Sequence, residues 1–163
     1  MLCKIDNYLR NLYRLSGYVA AVFLILVATF ILTGIASRIF GFYIRGLAEY
    51  SGYCMAASSF LALAYTFGEK GHIRITLFLE KSKKNIRRFL ELWCLFVATF
   101  FSGFLSFYFI KMLLISIKFQ ERSEGADEIL IWIPQVSVAL GSTIFFICVF
   151  HNFILLILKK NNN

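Results

Sequence analysis

The stretch LSGYVAAVFLILVATFILTGIAS, residues 15–37, runs for 23 positions without a charged side chain. A helix of that length covers the roughly 30 Å hydrocarbon layer of a bilayer at about 1.5 Å of rise per residue. Its apolar positions lack the strict alternation of a barrel strand. A helix satisfies its own backbone hydrogen bonds in lipid, so the run reads as a transmembrane helix. It is longer than the roughly 7–15 apolar residues of a signal peptide, and no A-x-A site follows. The run therefore reads as a retained span.

Working outward, three more runs have the same character: about 47–68, 92–110 and 131–158. The whole chain agrees with them. Of its 163 residues, 60% are hydrophobic and 16% charged, with a mean hydropathy of +0.74. Soluble domains sit near 45–50% apolar and about 25% charged. A water-soluble enzyme is excluded. The expected fold is an all-α membrane protein of four transmembrane helices, forming a single integral-membrane domain over 1–163.

Lysine and arginine set the orientation. The N-terminal segment, the connection between spans two and three, and the C-terminal end hold twelve of them, against five in the other two connections. Both termini are therefore expected in the cytoplasm. The net charge of +8 lies where anionic headgroups lie, so it marks orientation and phospholipid contact, and no nucleic-acid partner is expected.

The connection between spans two and three is itself patterned. Ile75, Leu79, Ser82, Ile86, Phe89 or Leu90, and Trp93 recur at steps of three and four. Lys81, Lys83, Lys84, Arg87 and Arg88 collect on the opposite face. This predicts a cytoplasmic interfacial amphipathic helix over about 76–91, apolar side down among the headgroups. Thr76 suits its N-cap and Glu80 its first turn. Trp93 and Trp132 are expected at the two lipid interfaces, where amphipathic rings anchor.

Reactive residue types form no chemical centre. Cys3, Cys54, Cys94 and Cys148 are scattered, with no C-x-x-C and no Cys–His spacing suited to zinc. Three of them fall inside spans, where cysteine behaves as a small hydrophobe. His72 lies in a polar connection and His151 near the end of the fourth span. A haem held between them is the alternative reading, which would make the chain a membrane oxidoreductase or its haem anchor. No metal and no cofactor are expected. Charged residues at membrane depth mark ion pathways, and none is expected here. Glu49 lies at the threshold of span two and is expected to pair with Arg45 four residues earlier. A helper is a better reading than a pump, and the chain is not expected to be an enzyme.

Span two is rich in small residues, among them Gly52, Ala56, Ser58, Ser59 and Ala62. Small-xxx-small steps allow close backbone approach in lipid, so this helix should be surrounded by protein. Span three carries Phe96, Phe100, Phe101, Phe104, Phe107 and Phe109, which suits lipid or a flat partner. The outer connection Gln120–Glu128 holds Glu121, Glu124, Asp127 and Glu128 against Arg122 alone. It reads as a solvated loop or a docking surface for an external protein.

Three local patterns then come together in order. Glu49 opens a small-residue helix ending Leu61-Ala62-Leu63-Ala64-Tyr65; Gly71-His72-Ile73-Arg74-Ile75 and the basic stretch follow. Ile131-Trp132-Ile133-Pro134-Gln135 then leads to Leu140-Gly141. Over most of its length the chain resembles the small, Q-type membrane subunit of tripartite ATP-independent periplasmic (TRAP) transporters. It departs from that pattern at Thr76, where an acid is usual, and at Ala139, where a proline is frequent. The resemblance implies two partners, a large membrane transport subunit and a periplasmic substrate-binding protein. The large subunit would bind substrate and sodium and take up an organic anion, commonly a carboxylate, across the bacterial inner membrane. The expected contacts to the large subunit are Glu49, Gly52, Ala56, Ser59, Gly71, His72 and Arg74. The expected contacts to the periplasmic protein are the four outer acids.

Overall fold

The computed structural model describes residues 2–42, 44–68, 84–125 and 128–158. Four α-helices account for nearly all of them: α1 Leu2–Ile39, α2 Leu47–Gly68, α3 Lys84–Phe119 and α4 Trp132–Leu158. An isolated bridge between Arg122 and Leu130 is the β-type pairing among the described residues.

Helices α1, α3 and α4 are each long and apolar enough to cross a membrane. Helix α2 has 22 residues, enough for about 33 Å, but its serines, tyrosines and Glu49 dilute its apolar content.

Two helices extend well past the apolar runs that announce them. Lys4, Arg10 and Arg14, expected in a tail, belong to α1. The run at 92–110 is the middle of the 36-residue α3. Residues 84–91, assigned from sequence to an interfacial helix, are the first turns of that same continuous helix. Residues 76–83 lie outside the described residues. Lys111 and Lys118, counted with the outer connection, also sit within α3. The reason is local: neither Lys84–Leu92 nor Lys111–Phe119 contains a Gly or Pro, and Lys, Arg, Leu, Glu and Met are good helix formers. Between α1 and α2 the chain turns at Gly41 and Gly46, with φ of 76° and 80°, a left-handed geometry that glycine adopts without strain.

Packing does not follow chain order. Helix α1 lies on α2, α2 on α4, and α4 on α3, with only slight contact between α1 and α4. The spatial order is therefore α1–α2–α4–α3. Each of the three seams carries a polar stitch. Ser58 Oγ donates to the Ala20 carbonyl across α1–α2 at 3.0 Å. Cys148 Sγ donates to the Ala64 carbonyl across α2–α4 at 3.6 Å. The Ser106 and Thr143 hydroxyls share a bond across α3–α4 at 3.1 Å. Such bonds contribute roughly 0.6 kcal/mol each in a membrane, so close packing must provide most of the stability.

Small residues provide that packing. Ala57, Ala64, Ser142 and Cys148 are buried where the central helices meet. A Cβ built on Gly141 of α4 would lie 2.8 Å from the Phe60 carbonyl carbon and 3.0 Å from the Leu61 nitrogen. The α2 and α4 backbones are thus nearly in contact. At the other seam two glycines face two tyrosines reciprocally: Gly17 of α1 lies under the Tyr65 ring, and Gly68 of α2 under Tyr13. Phe60 also meets Phe109 of α3 edge-on, with centroids 5.2 Å apart.

Candidate partner-binding surfaces

Helix α2 is central, as its small residues predict, but the described residues do not enclose it. Ala57, Ser58, Leu61 and Ala64 are buried against α1 and α4. On the opposite side Gly52, Met55, Ser59, Leu63 and Thr66 are exposed, with Ala56 and Ala62 half-buried beside them. The spacing is that of one helical face. Its hydroxyls are already satisfied: Ser59 donates to the Met55 carbonyl at 2.8 Å and Thr66 to Ala62 at 2.9 Å. A Cβ on Gly52 would meet nothing within 4 Å. This face mixes Gly, Ser and Thr with Met55 and Leu63, is internally hydrogen-bonded and is uncovered among the described residues.

Glu49 lies in the first turn of α2. Its carboxylate turns into the outer connection and packs against Gly125. One turn further along α2, the Tyr53 hydroxyl and Ser123 Oγ share a hydrogen bond at 2.9 Å. Ser123 N–H also donates to Ile129 O at 2.7 Å, and Ile131 N–H to Glu121 O at 3.0 Å. The outer connection is thus a small closed hairpin seated on the start of α2. Sequence reasoning missed Tyr53, Ser123 and Gly125. The available signal was the i, i+4 placement of Glu49 and Tyr53 on one row of α2.

The outer acids are deployed unequally. Glu121 accepts a hydrogen bond from buried Ser116 Oγ at 2.8 Å, and its N–H donates to the Ser116 carbonyl at 3.3 Å, which caps the C-terminal end of α3. Glu128 lies 3.6 Å from Arg122, with both side chains mostly in solvent. Glu124 is exposed, and Asp127 lies outside the described residues. Tyr53→Phe is expected to cost about 1 kcal/mol through the lost hydroxyl bond and to speed amide exchange across 121–131. Arg122→Ala is expected to change stability by less than about 0.5 kcal/mol, because an exposed pair is screened by water. Hydrogen–deuterium exchange and unfolding of the purified protein distinguish the two.

Gly71, His72, Arg74, Lys81 and Lys83 lie outside the described residues. Lys84, Arg87 and Arg88 belong to the first turns of α3. Trp93 is exposed near that end of α3 and Trp132, half-buried, opens α4, so the two rings mark opposite ends of the α3–α4 pair. Cys148 is buried, Cys94 exposed and Cys54 intermediate. Among the described residues no three His, Cys, Asp or Glu side chains are grouped to hold a metal. His151 is half-buried near the end of α4.

These features define an integral membrane protein made of apolar helices, with a seated polar hairpin at one end and an uncovered packing face on a central helix. The family model for the DctQ component of tripartite ATP-independent periplasmic transporters matches residues 27–159. The chain belongs to that family and is a small permease subunit of a TRAP transporter. No curated protein matches the chain. Family membership makes it one component of a tripartite system, with a large membrane subunit and a periplasmic binding protein as partners. It is a transporter component, not an enzyme, which replaces the oxidoreductase and haem-anchor alternative.

Proposed function

We propose that this subunit is a static brace of four spans in the bacterial inner membrane, with α2 as the fourth spanning helix and both termini in the cytoplasm. The whole of 1–163 acts as one integral-membrane domain. Its outward α2 face, with Glu49, Gly52, Ala56 and Ser59, receives the large subunit, aided by the turn containing Gly71, His72 and Arg74. The outer hairpin, with Glu121, Glu124, Asp127 and Glu128, receives the binding protein. Lys81, Lys83, Lys84, Arg87, Arg88, Trp93 and Trp132 contact phospholipid at the interfaces. Transport itself belongs to the large subunit and is sodium-coupled symport of an organic anion bearing a carboxylate.

The observation that carries this reading is the exposure of Gly52, Ser59 and Thr66 along one face of α2, with half-buried Ala56 and Ala62 beside them and Met55 and Leu63 between. A helix in lipid gains nothing hydrophobic by leaving lipid for another helix, so association depends on close van der Waals fit. The Gly, Ala and Ser positions of the face offer that fit, and Met55 and Leu63 between them add the bulk that fills a partner's grooves. The basic excess on one side of the membrane supports the orientation.

Ser59→Trp is the direct test. It puts a bulky ring on the exposed face without touching α1 or α4. Recovery of the large subunit with the tagged small subunit is expected to fall about tenfold, close to 1.4 kcal/mol. Phe101→Trp, on exposed α3 surface, should leave recovery unchanged. Equal recovery of the partner with Ser59→Trp would overturn the assignment of this face.

A further inference from the structure

The connection between α1 and α2 carries an apolar tip on a fixed backbone. Phe40 N–H donates to Ala36 O at 3.0 Å, Gly41 N–H to Arg38 O at 3.3 Å and Phe42 N–H to Ser37 O at 3.0 Å. With Gly41 at a φ of 76°, the last two bonds form a Schellman cap, in which a left-handed glycine closes a helix. The residue after such a glycine commonly packs its side chain back on the helix end. Its counterparts here are Ser37 and Ala36, too short to cover a ring. Phe42 is accordingly 53% exposed, Phe40 76% and Ile39 77%. The Phe40 and Phe42 rings lie nearly parallel, 19° apart in plane, with centroids separated by 6.4 Å. Ile44 follows them and is also exposed.

Charge brackets the tip. Arg38 before it and Arg45 after it are both exposed. On the membrane side, Ile31, Ile35 and Ile39 continue at four-residue steps along one exposed row of α1. The tip thus extends the outer surface of a helix long and apolar enough to cross a bilayer. The hairpin seated on the start of α2 lies at the same end of the molecule, and its exposed side chains Arg122, Glu124 and Glu128 are charged. Two neighbouring connections therefore have opposite chemistry.

We infer that the α1–α2 connection is an interfacial anchor, with Phe40, Phe42 and Ile44 inserted among the upper acyl chains of the adjoining leaflet and Arg38 and Arg45 at its phosphates. Non-helical backbone is costly at that depth where its polar groups lack partners. The three N–H groups at the tip are satisfied within the cap. Arginine keeps its apolar stem near the chains while its guanidinium reaches the headgroups. Left in water, the same rings would gain nothing for their exposed area. Helices that associate in lipid rely on the close fit of small residues, which two bulky rings do not offer. The anchor is independent of which way the chain faces and of the α2 assignment.

Depth-dependent fluorescence quenching tests the anchor. The full chain carries Trp93→Phe and Trp132→Phe, with Phe42→Trp as the sole reporter, or Phe40→Trp should that variant fail to insert. It is reconstituted, alone and with the large subunit, into vesicles of phosphatidylcholine and phosphatidylglycerol. Bromine is carried either near the top or near the end of the acyl chains, and iodide is supplied in the water on both sides. Phe42→Trp should emit to the blue, lose more emission to shallow bromine than to deep, and respond little to iodide. Phe101→Trp, exposed in the middle of α3, should show the reverse preference, for deep bromine. Glu124→Trp, on the hairpin, should be quenched by iodide and not by bromine. Adding Arg38→Glu and Arg45→Glu should shift Phe42→Trp toward iodide and away from shallow bromine, because the phosphates then repel the tip. Iodide quenching of Phe42→Trp equal to that of Glu124→Trp overturns the anchor. So does loss of its bromine quenching when the large subunit is present, because the tip would then be a protein contact.

Discussion

Gly141→Ala is expected to destabilise the subunit by about 2–3 kcal/mol, the upper part of the range for overpacking a tight interior. The added methyl would sit 2.8 Å from the Phe60 carbonyl carbon, 2.9 Å from its Cβ and 3.0 Å from the Leu61 nitrogen. Two of those three atoms are backbone, so no rotamer change relieves the clash. The α2 and α4 helices must separate along the seam that also holds Cys148 under the Ala64 carbonyl. Both residues are fully buried, and separation exposes them together. Titrating SDS into the detergent-purified protein while following helicity and tryptophan emission reads the loss directly. Gly52→Ala is the matched control. It adds the same methyl to open space and should shift the midpoint little or raise it, since Ala favours helix over Gly by about 1 kcal/mol. Equal midpoints for the two variants would show that the α2–α4 seam is looser than described.

Gly17→Val is expected to cost about 2 kcal/mol at the α1–α2 seam. Its Cβ would lie 2.7 Å from Tyr65 Cγ and 3.1 Å from Tyr65 Cβ. These atoms are the root of the ring, not its tip, so Tyr65 must leave its rotamer. The penalty does not stay local. Tyr13, one turn before Gly17, packs over Gly68, one turn after Tyr65, so a shift at one contact drags the other. Tyr13 is itself 5% exposed. The same SDS titration should show the lower midpoint. A disulfide between cysteines placed across the α1–α2 seam should form more slowly in the variant than in the parent.

What the sequence disclosed followed from the strength of each local signal. The charge-free run at 15–37 and the apolar segment ending α4 were legible because lipid demands length and lack of charge. Helix ends were not legible, because hydropathy marks where a helix meets lipid, not where it stops. Lys84–Glu91 and Lys111–Phe119 are polar or mixed yet good helix formers, so α3 continues through both. The spatial order α1–α2–α4–α3 was also hidden: apolar faces of similar composition carry no address. The small residues of α2 did announce a packing helix. They could not say that α1 and α4 would take one side and leave Gly52, Ser59 and Thr66 outside. Glu49 was legible as the threshold of α2, but the return of the hairpin over the start of that helix, which brings Gly125 to the carboxylate, was not. Tyr53 and Ser123, 70 residues apart, meet for the same tertiary reason, which no window of sequence contains.

The reach of α3 has a mechanical meaning for the assembled transporter. Its 36 residues make a rod of about 54 Å, against a hydrocarbon layer of roughly 30 Å. The surplus of about 24 Å has to be taken up by tilt of the rod or by its projection past the hydrocarbon. Because the hairpin links the end of α3 directly to Trp132 of α4, any change in that tilt carries the hairpin and the start of α4 with it.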